Sequence, residues 1–129
     1  MDGLFDEKNG EIRVLVENFA SRRVKSFYPE SIQQEVGLSL DDIVIRMERL
    51  RYDNIVQLKF EVRCEQDFSP IITVDNYTTV LGKNMVCPEC GREVTVSESC
   101  IYPKYFITDS YREFVKKKRQ NQIHRAVLA

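Results

Sequence analysis

The run Ser31-Ile32-Gln33-Gln34-Glu35-Val36-Gly37-Leu38-Ser39-Leu40-Asp41-Asp42-Ile43 decides how the N-terminal half of this chain is read. Just before it, Pro29 has its φ fixed near the helical value and opens a short helix in which Ile32 and Val36 share a face. Gly37 then supplies a residue that tolerates a left-handed backbone, the usual way to end a helix. Ser39, followed three residues later by Asp42, reads as a capping box with Asp in place of the common Glu or Gln. It starts a second helix that carries Leu40, Ile43, Val44, Met47 and Leu50 at helical spacing, and Asp53-Asn54 breaks it. The pattern is two helices joined by a tight, Gly-containing turn.

Upstream, Ile12, Leu15, Val16, Phe19, Ala20, Val24 and Phe27 follow the i, i+3, i+4, i+7 rule and predict an amphipathic helix from Glu11 to about Arg22 or Arg23. The segment Lys25-Ser26-Phe27-Tyr28 precedes a proline, which disfavours helix there and predicts a short extended stretch. Downstream, Val56, Leu58, Phe60 and Val62 alternate with Gln57, Lys59, Glu61 and Arg63, the period of a half-buried strand with its polar residues outward. Further strands are expected over residues 71–74, 77–81, 84–86, 93–97 and 101–107, separated by turn-forming dipeptides. Ser110 with Glu113 forms a second capping box, opening a C-terminal helix that offers Tyr111, Phe114 and Val115 to the body. Beyond it, Lys116-Lys117-Lys118-Arg119-Gln120-Asn121-Gln122 interrupts the apolar face before Ile123, Val127 and Leu128 resume it. This last part lacks anchors and reads as a basic tether or a frayed terminus.

Long, short and long helices followed directly by a strand resemble a winged helix-turn-helix over roughly residues 10–63. The resemblance implies an α+β chain with a winged helix-turn-helix at residues 1–63, a small β-rich, zinc-ribbon-like module at residues 64–108, and a basic amphipathic helix or tail at residues 109–129. In such a fold the second helix of the pair enters the major groove of duplex DNA, so the resemblance assigns nucleic-acid contacts to Arg46, Arg49 and Arg51 on that helix. Arg22, Arg23 and Lys25, at the end of the first helix, and Lys59 on the wing strand would flank them. Against this stand Asp41 and Asp42 at the helix start, which carry the wrong sign for phosphates, and neighbouring acids such as Glu48, which can balance the arginines.

Cys87-Pro88-Glu89-Cys90-Gly91 is the most specific motif in the chain and resembles one knuckle of a zinc ribbon. Two thiolates separated by two residues grip one tetrahedral ion, and Gly tolerates the corner that follows. A ribbon needs a second ligand pair, and here the chain departs from the pattern. Cys64 ends the long strand, but the residue three positions later is Asp67. Either Cys64 and Asp67 form a degenerate knuckle or Cys64 acts with Cys100. A closed thiolate set is the commoner structural site, which favours Cys64, Cys87, Cys90 and Cys100 around Zn2+. A ribbon that keeps Cys64 and Cys100 as buried small hydrophobes without a metal is the alternative. A dithiol redox centre is disfavoured, because a thioredoxin-type motif opens a helix and here Gly91 and a strand follow.

The chain has 129 residues, 43% hydrophobic and 30% charged, which suits one domain or two small modules and leaves little room for a large enzyme. Four cysteines in a reducing compartment are metal ligands or buried thiols more readily than disulfides, and Asp2, Asp6 and Glu7 stand where a secretory signal needs basic residues; the expectation is a cytoplasmic protein without a membrane span. The net charge of −1 excludes coating nucleic acid by charge alone, yet residues 109–129 hold six basic against two acidic side chains. The one histidine, His124, lies in that basic segment, and neither a Gly-x-x-x-x-Gly-Lys-Ser/Thr loop nor a Gly-x-Gly-x-x-Gly turn is present, so neither catalysis nor a small-molecule substrate is expected. Two functions fit: a non-enzymatic DNA-binding regulator, to which the fold resemblance leans, or a protein-docking adaptor in a larger, nucleic-acid-processing complex. The affinity of phosphate contacts falls steeply with salt, so a titration with duplex DNA separates them.

Overall fold

A computed structural model describes residues 2–128, with side chains from residue 7 to residue 127. It is an α+β structure with the order α1 (Asp2–Ser21), β1 (Ser26–Phe27), α2 (Pro29–Val36), α3 (Leu40–Tyr52), β2 (Val56–Arg63), β3 (Pro70–Val74), β4 (Asn84–Val86), β5 (Glu93–Thr95), β6 (Ile101–Ile107) and α4 (Asp109–Leu128). The strands form a four-stranded sheet in the order β1-β6-β2-β3 and a separate β4-β5 hairpin. β1 pairs with β6 antiparallel through Ser26 with Phe106 and Phe27 with Tyr105. β2 pairs with β3 antiparallel, with a bulge between Val62 and Arg63.

The chain divides into two compact units, Met1–Gln57 with Tyr105–Ala129, and Leu58–Lys104. The end of β6 and the C-terminal helix thus belong with the N-terminal helices, and residues 58–104 form an excursion between β1 and its strand partner. The division does not follow the boundaries at residues 63 and 108 suggested by the sequence.

In the helical unit the turn signals act as read. Gly37 adopts φ 71° and its N–H donates to the Gln33 carbonyl. Ser39 Oγ accepts from the Asp42 amide at 3.2 Å, which caps α3. Ile12, Val16, Ile32, Ile43 and Met47 are completely buried with Tyr105 and Val115. Phe27 joins Phe19 and Tyr105 in a ladder of rings with centroids 5.2 Å and 5.8 Å apart.

Several elements depart from the sequence reading. α1 begins at Asp2 rather than Glu11. Its early turns are held by Lys8 Nζ, which donates to the Val36 carbonyl at 3.0 Å, and by Asn9 Oδ1, which accepts from Arg46 at 3.0 Å. Residues 77–79 form a 3-10 turn instead of a strand, because the Asn76 side chain accepts from the Thr78 amide and closes the backbone locally. Glu61, expected on the outward face of β2, is buried and meets Arg63 at 2.7 Å and Lys104 at 3.3 Å. The cap of α4 is Thr108, whose hydroxyl accepts from the Tyr111 amide at 3.2 Å, so Ser110 lies inside the first turn. Val115 packs into the core, whereas Phe114 is exposed. The basic stretch of α4 is tied down as well: Lys118 reaches Glu17 at 2.7 Å, and Arg119 reaches Asn18 at 3.1 Å.

Candidate metal centre

The second unit has its own small core of Val62, Cys64, Val80, Cys87, Val94, Val96 and Cys100. Two hairpins supply its chemistry. The turn from β2 to β3 is Cys64-Glu65-Gln66-Asp67-Phe68-Ser69, and the turn from β4 to β5 is Cys87-Pro88-Glu89-Cys90-Gly91-Arg92.

These two turns repeat one another bond for bond. The Cys64 N–H donates to the Ser69 carbonyl at 2.9 Å, and the Cys87 N–H donates to the Arg92 carbonyl at 2.9 Å. The Phe68 N–H donates to the Cys64 carbonyl at 2.9 Å, and the Gly91 N–H to the Cys87 carbonyl at 2.9 Å. The fifth residue of each turn is left-handed, with φ 61° at Phe68 and 74° at Gly91. Glycine adopts that conformation freely, whereas phenylalanine is strained in it, and such strain persists only where the surroundings require the geometry. In the fourth position Asp67 replaces cysteine and keeps its role as acceptor: the Ser69 amide donates to Asp67 Oδ1 at 3.0 Å, as the Arg92 amide donates to the Cys90 sulfur.

The turns bring Cys64, Asp67, Cys87 and Cys90 together, with one ligand atom from each lying within 4.8 Å of every other. Cys64 Sγ is 3.7 Å from Cys90 Sγ, and Cys87 Sγ is 3.8 Å and 3.9 Å from the two Asp67 oxygens. Metal–sulfur bonds of about 2.3 Å directed to the corners of a tetrahedron put neighbouring ligands about 3.8 Å apart, so the cluster has the spacing to hold a metal ion. Cys64 and Cys87 are buried, Cys90 and Asp67 exposed, which leaves one side open to entry.

Backbone amides aimed at the sulfurs prepare the site for anionic ligands. The Arg92 N–H, helped by the Cys87 and Cys64 thiols, outweighs burial and the Asp67 charge and holds the Cys90 thiol below its usual range. The Ser69 amide does the same for the Asp67 carboxyl against burial. At Cys64 the Asp67 and Gln66 amides pull downward, but burial, the Cys90 thiol and the Asp67 carboxylate together push its thiol up. A cation inside the cluster reverses that upward push.

Cys100, placed in the ligand set by the sequence reading, is not brought to this cluster. It is buried beside it in the same core, and its sulfur lies 3.2 Å from Glu65 Oε1 and 3.6 Å from Ser97 Oγ. The Asp67 carboxylate, three residues after Cys64, joins the other three cysteines in the cluster instead. The sequence contained the signal: Cys64 and Asp67 have the spacing of Cys87 and Cys90.

The cations assigned to nucleic-acid contact scatter. The Arg46 side chain is 10% exposed, pairs with Asp42 at 3.0 Å and reaches back to Asn9. Arg51 pairs with Glu48 at 2.7 Å, Arg49 with Asp53 at 3.3 Å, and Lys59 with Asp75 at 3.7 Å. Arg22, Arg23 and Lys25 are exposed at the end of α1 and the start of β1. The solvent side of α3 presents Asp41, Ile45, Glu48, Arg49 and Tyr52, with Ile45 65%, Tyr52 86% and the Arg49 side chain 71% exposed.

Set beside known proteins, the chain finds no counterpart: no protein family, curated protein or solved structure matches it. Among the described residues no helix is long and apolar enough to cross a membrane.

Proposed function

We propose that this chain is a non-enzymatic docking module, a winged helix whose wing carries a zinc ribbon, serving as an adaptor subunit in a larger assembly. The sheet order β1-β6-β2, with α1, β1, α2 and α3 preceding β2, supports the winged-helix reading, and the paired turns between β2 and β6 support the ribbon. The ion is Zn2+: three soft thiolates and one carboxylate at tetrahedral spacing suit it, and a closed ligand set makes its role structural. Bound there, it would hold the two turns together.

The outward face of α3 carries the choice of partner. A helix that reads bases presents Arg, Lys, Asn or Gln from its first turns. Here the exposed stripe is chiefly acidic and apolar, with Ile45 and Tyr52 flanked by Asp41 and Glu48, while Arg46 and Arg51 are engaged by acids of the same helix and Arg49, 71% exposed, pairs with Asp53 just beyond it. Exposed aromatic and aliphatic side chains at a helix face are the material of a protein interface.

Photo-cross-linking from positions 45 and 52 in cells that make the chain tests this reading. A protein adduct from both positions, and from neither Arg22 nor Lys83 as controls, supports docking through α3. The absence of protein adducts, together with duplex DNA binding that Arg49→Ala weakens by about 1–3 kcal/mol, overturns it in favour of a DNA-binding regulator.

A further inference from the structure

The helical unit has a second surface that the α3 reading does not use. A groove of about 690 Å³ runs between the end of α1 and one side of α4. Arg23 and Lys25 lie along one wall, and Arg112, Lys116 and Arg119 line the other. Two acids, Asp109 and Glu113, share the lining, and Asp109 pairs with Arg112 at 3.7 Å. Arg119 is braced by Asn18 and Glu17 and remains 43% exposed. Among the described residues no ion pair takes up Arg23, Lys25 or Lys116, and Arg22 stands exposed beside them.

We infer that this groove seats the sugar-phosphate backbone of duplex DNA without reading its sequence. Cations at positions 112, 116 and 119 form a stripe on one helix face, spanning about 10 Å at 1.5 Å per residue. A nucleic-acid strand carries a phosphate at every nucleotide, so a stripe of this length can face consecutive phosphates of one strand. The lining contains no aromatic ring. Binders of single strands stack bases on aromatic side chains, so a groove without them suits the outside of a duplex. The lining's Ala20, Val115 and Ile123 are apolar, and its cations meet phosphate oxygens, which every sequence presents alike.

Fluorescence anisotropy of the full chain with two unrelated duplexes of roughly 20 base pairs tests this, because phosphate neutralisation imposes a characteristic salt slope. Between about 50 mM and 200 mM salt the affinity should fall on the order of 100-fold, equally for both sequences. Lys25→Gln and Lys116→Gln should each weaken binding to both duplexes alike and lower the salt slope by about one. Both side chains are exposed, so circular dichroism should show both variants folded. Arg49→Ala on α3 should leave binding unchanged. Binding lost through Arg49→Ala and kept by the two lysine variants overturns the inference, as does a chain that binds polyglutamate but no duplex at low salt. The cross-linking at α3 reads a different surface, so either proposal can fail while the other stands.

Discussion

Asp67 and Phe68 meet, in one turn, the demands that Cys90 and Gly91 meet in the other. Phe68 accepts a left-handed φ of 61° where the matching turn uses Gly91, and Asp67 offers an oxygen where that turn offers sulfur. The protein should carry about one zinc per chain, read by elemental analysis; Asp67→Ser should lower that content and Cys100→Ser should not. Loss of metal from the Cys100 variant alone would return the site to the four-cysteine set. The site was half legible. Cys87-x-x-Cys90-Gly91 declares a knuckle outright, whereas a lone cysteine followed by a carboxylate becomes one only when the fold closes the turn. Tyr105 supplies a second test at this scale. Its hydroxyl is buried without a hydrogen-bond partner among the described residues, and burial, with a contribution from Glu48, pushes its pKa up to about 12. The neutral phenol is therefore favoured by the fold, so stability holds below pH 10 and declines as pH rises from 10 towards 12, where the unfolded chain ionises first. Tyr105→Phe should lessen that alkaline decline and stabilise the fold at neutral pH by up to about 1 kcal/mol, since it removes an unsatisfied polar group. Thermal melts across the pH range would show both effects, and a destabilised Phe variant would mean that the hydroxyl has a partner after all.

Elements that depend on local chemistry were the ones the sequence announced. Pro29, Gly37 and Ser39 set α2 and α3 because each acts on its own backbone, and the structure keeps all three roles. Ser39→Ala should cost about 1 kcal/mol in urea unfolding, the usual worth of a capping side chain. Gly91→Ala should cost at least about 1 kcal/mol through φ alone, because nothing lies within 4 Å of where its Cβ would be. A neutral result there would mean that the turn relaxes away from the geometry matched by Phe68. Elements fixed by distant partners were not legible. Residues 77–81 have the composition of a strand, but Asn76 turns the chain first and Tyr77 packs its ring at 4.9 Å on Phe60. Glu61 alternates as an outward residue, yet two cations from its own and the neighbouring strand make its burial tolerable. The early part of α1 makes contacts to α2 and α3 through Lys8 and Asn9, which no periodicity within α1 reports.

At the scale of the molecule, each unit has its own core, and the candidate metal cluster lies wholly in Leu58–Lys104. Removing the metal with a chelator should therefore act unevenly. Hydrogen exchange should speed up at the amides of residues 64–69 and 87–92, which close the turns, while α1 and α3 keep their protection. Uniform loss across all helices would instead mean that the two cores unfold as one.

The excursion between β1 and β6 also has a consequence for synthesis. A ribosome delivers α1, α2 and α3 well before Tyr105 and Val115, the residues that complete their core. Until those emerge, Ser26 and Phe27 lack the strand that pairs with them, and the nascent helices wait with an apolar flank uncovered. An ion captured early by the two turns would shorten the effective loop that must close when Tyr105 arrives. On the zinc reading proposed above, metal supply during translation would shorten the time for which the growing chain stays open to misfolding.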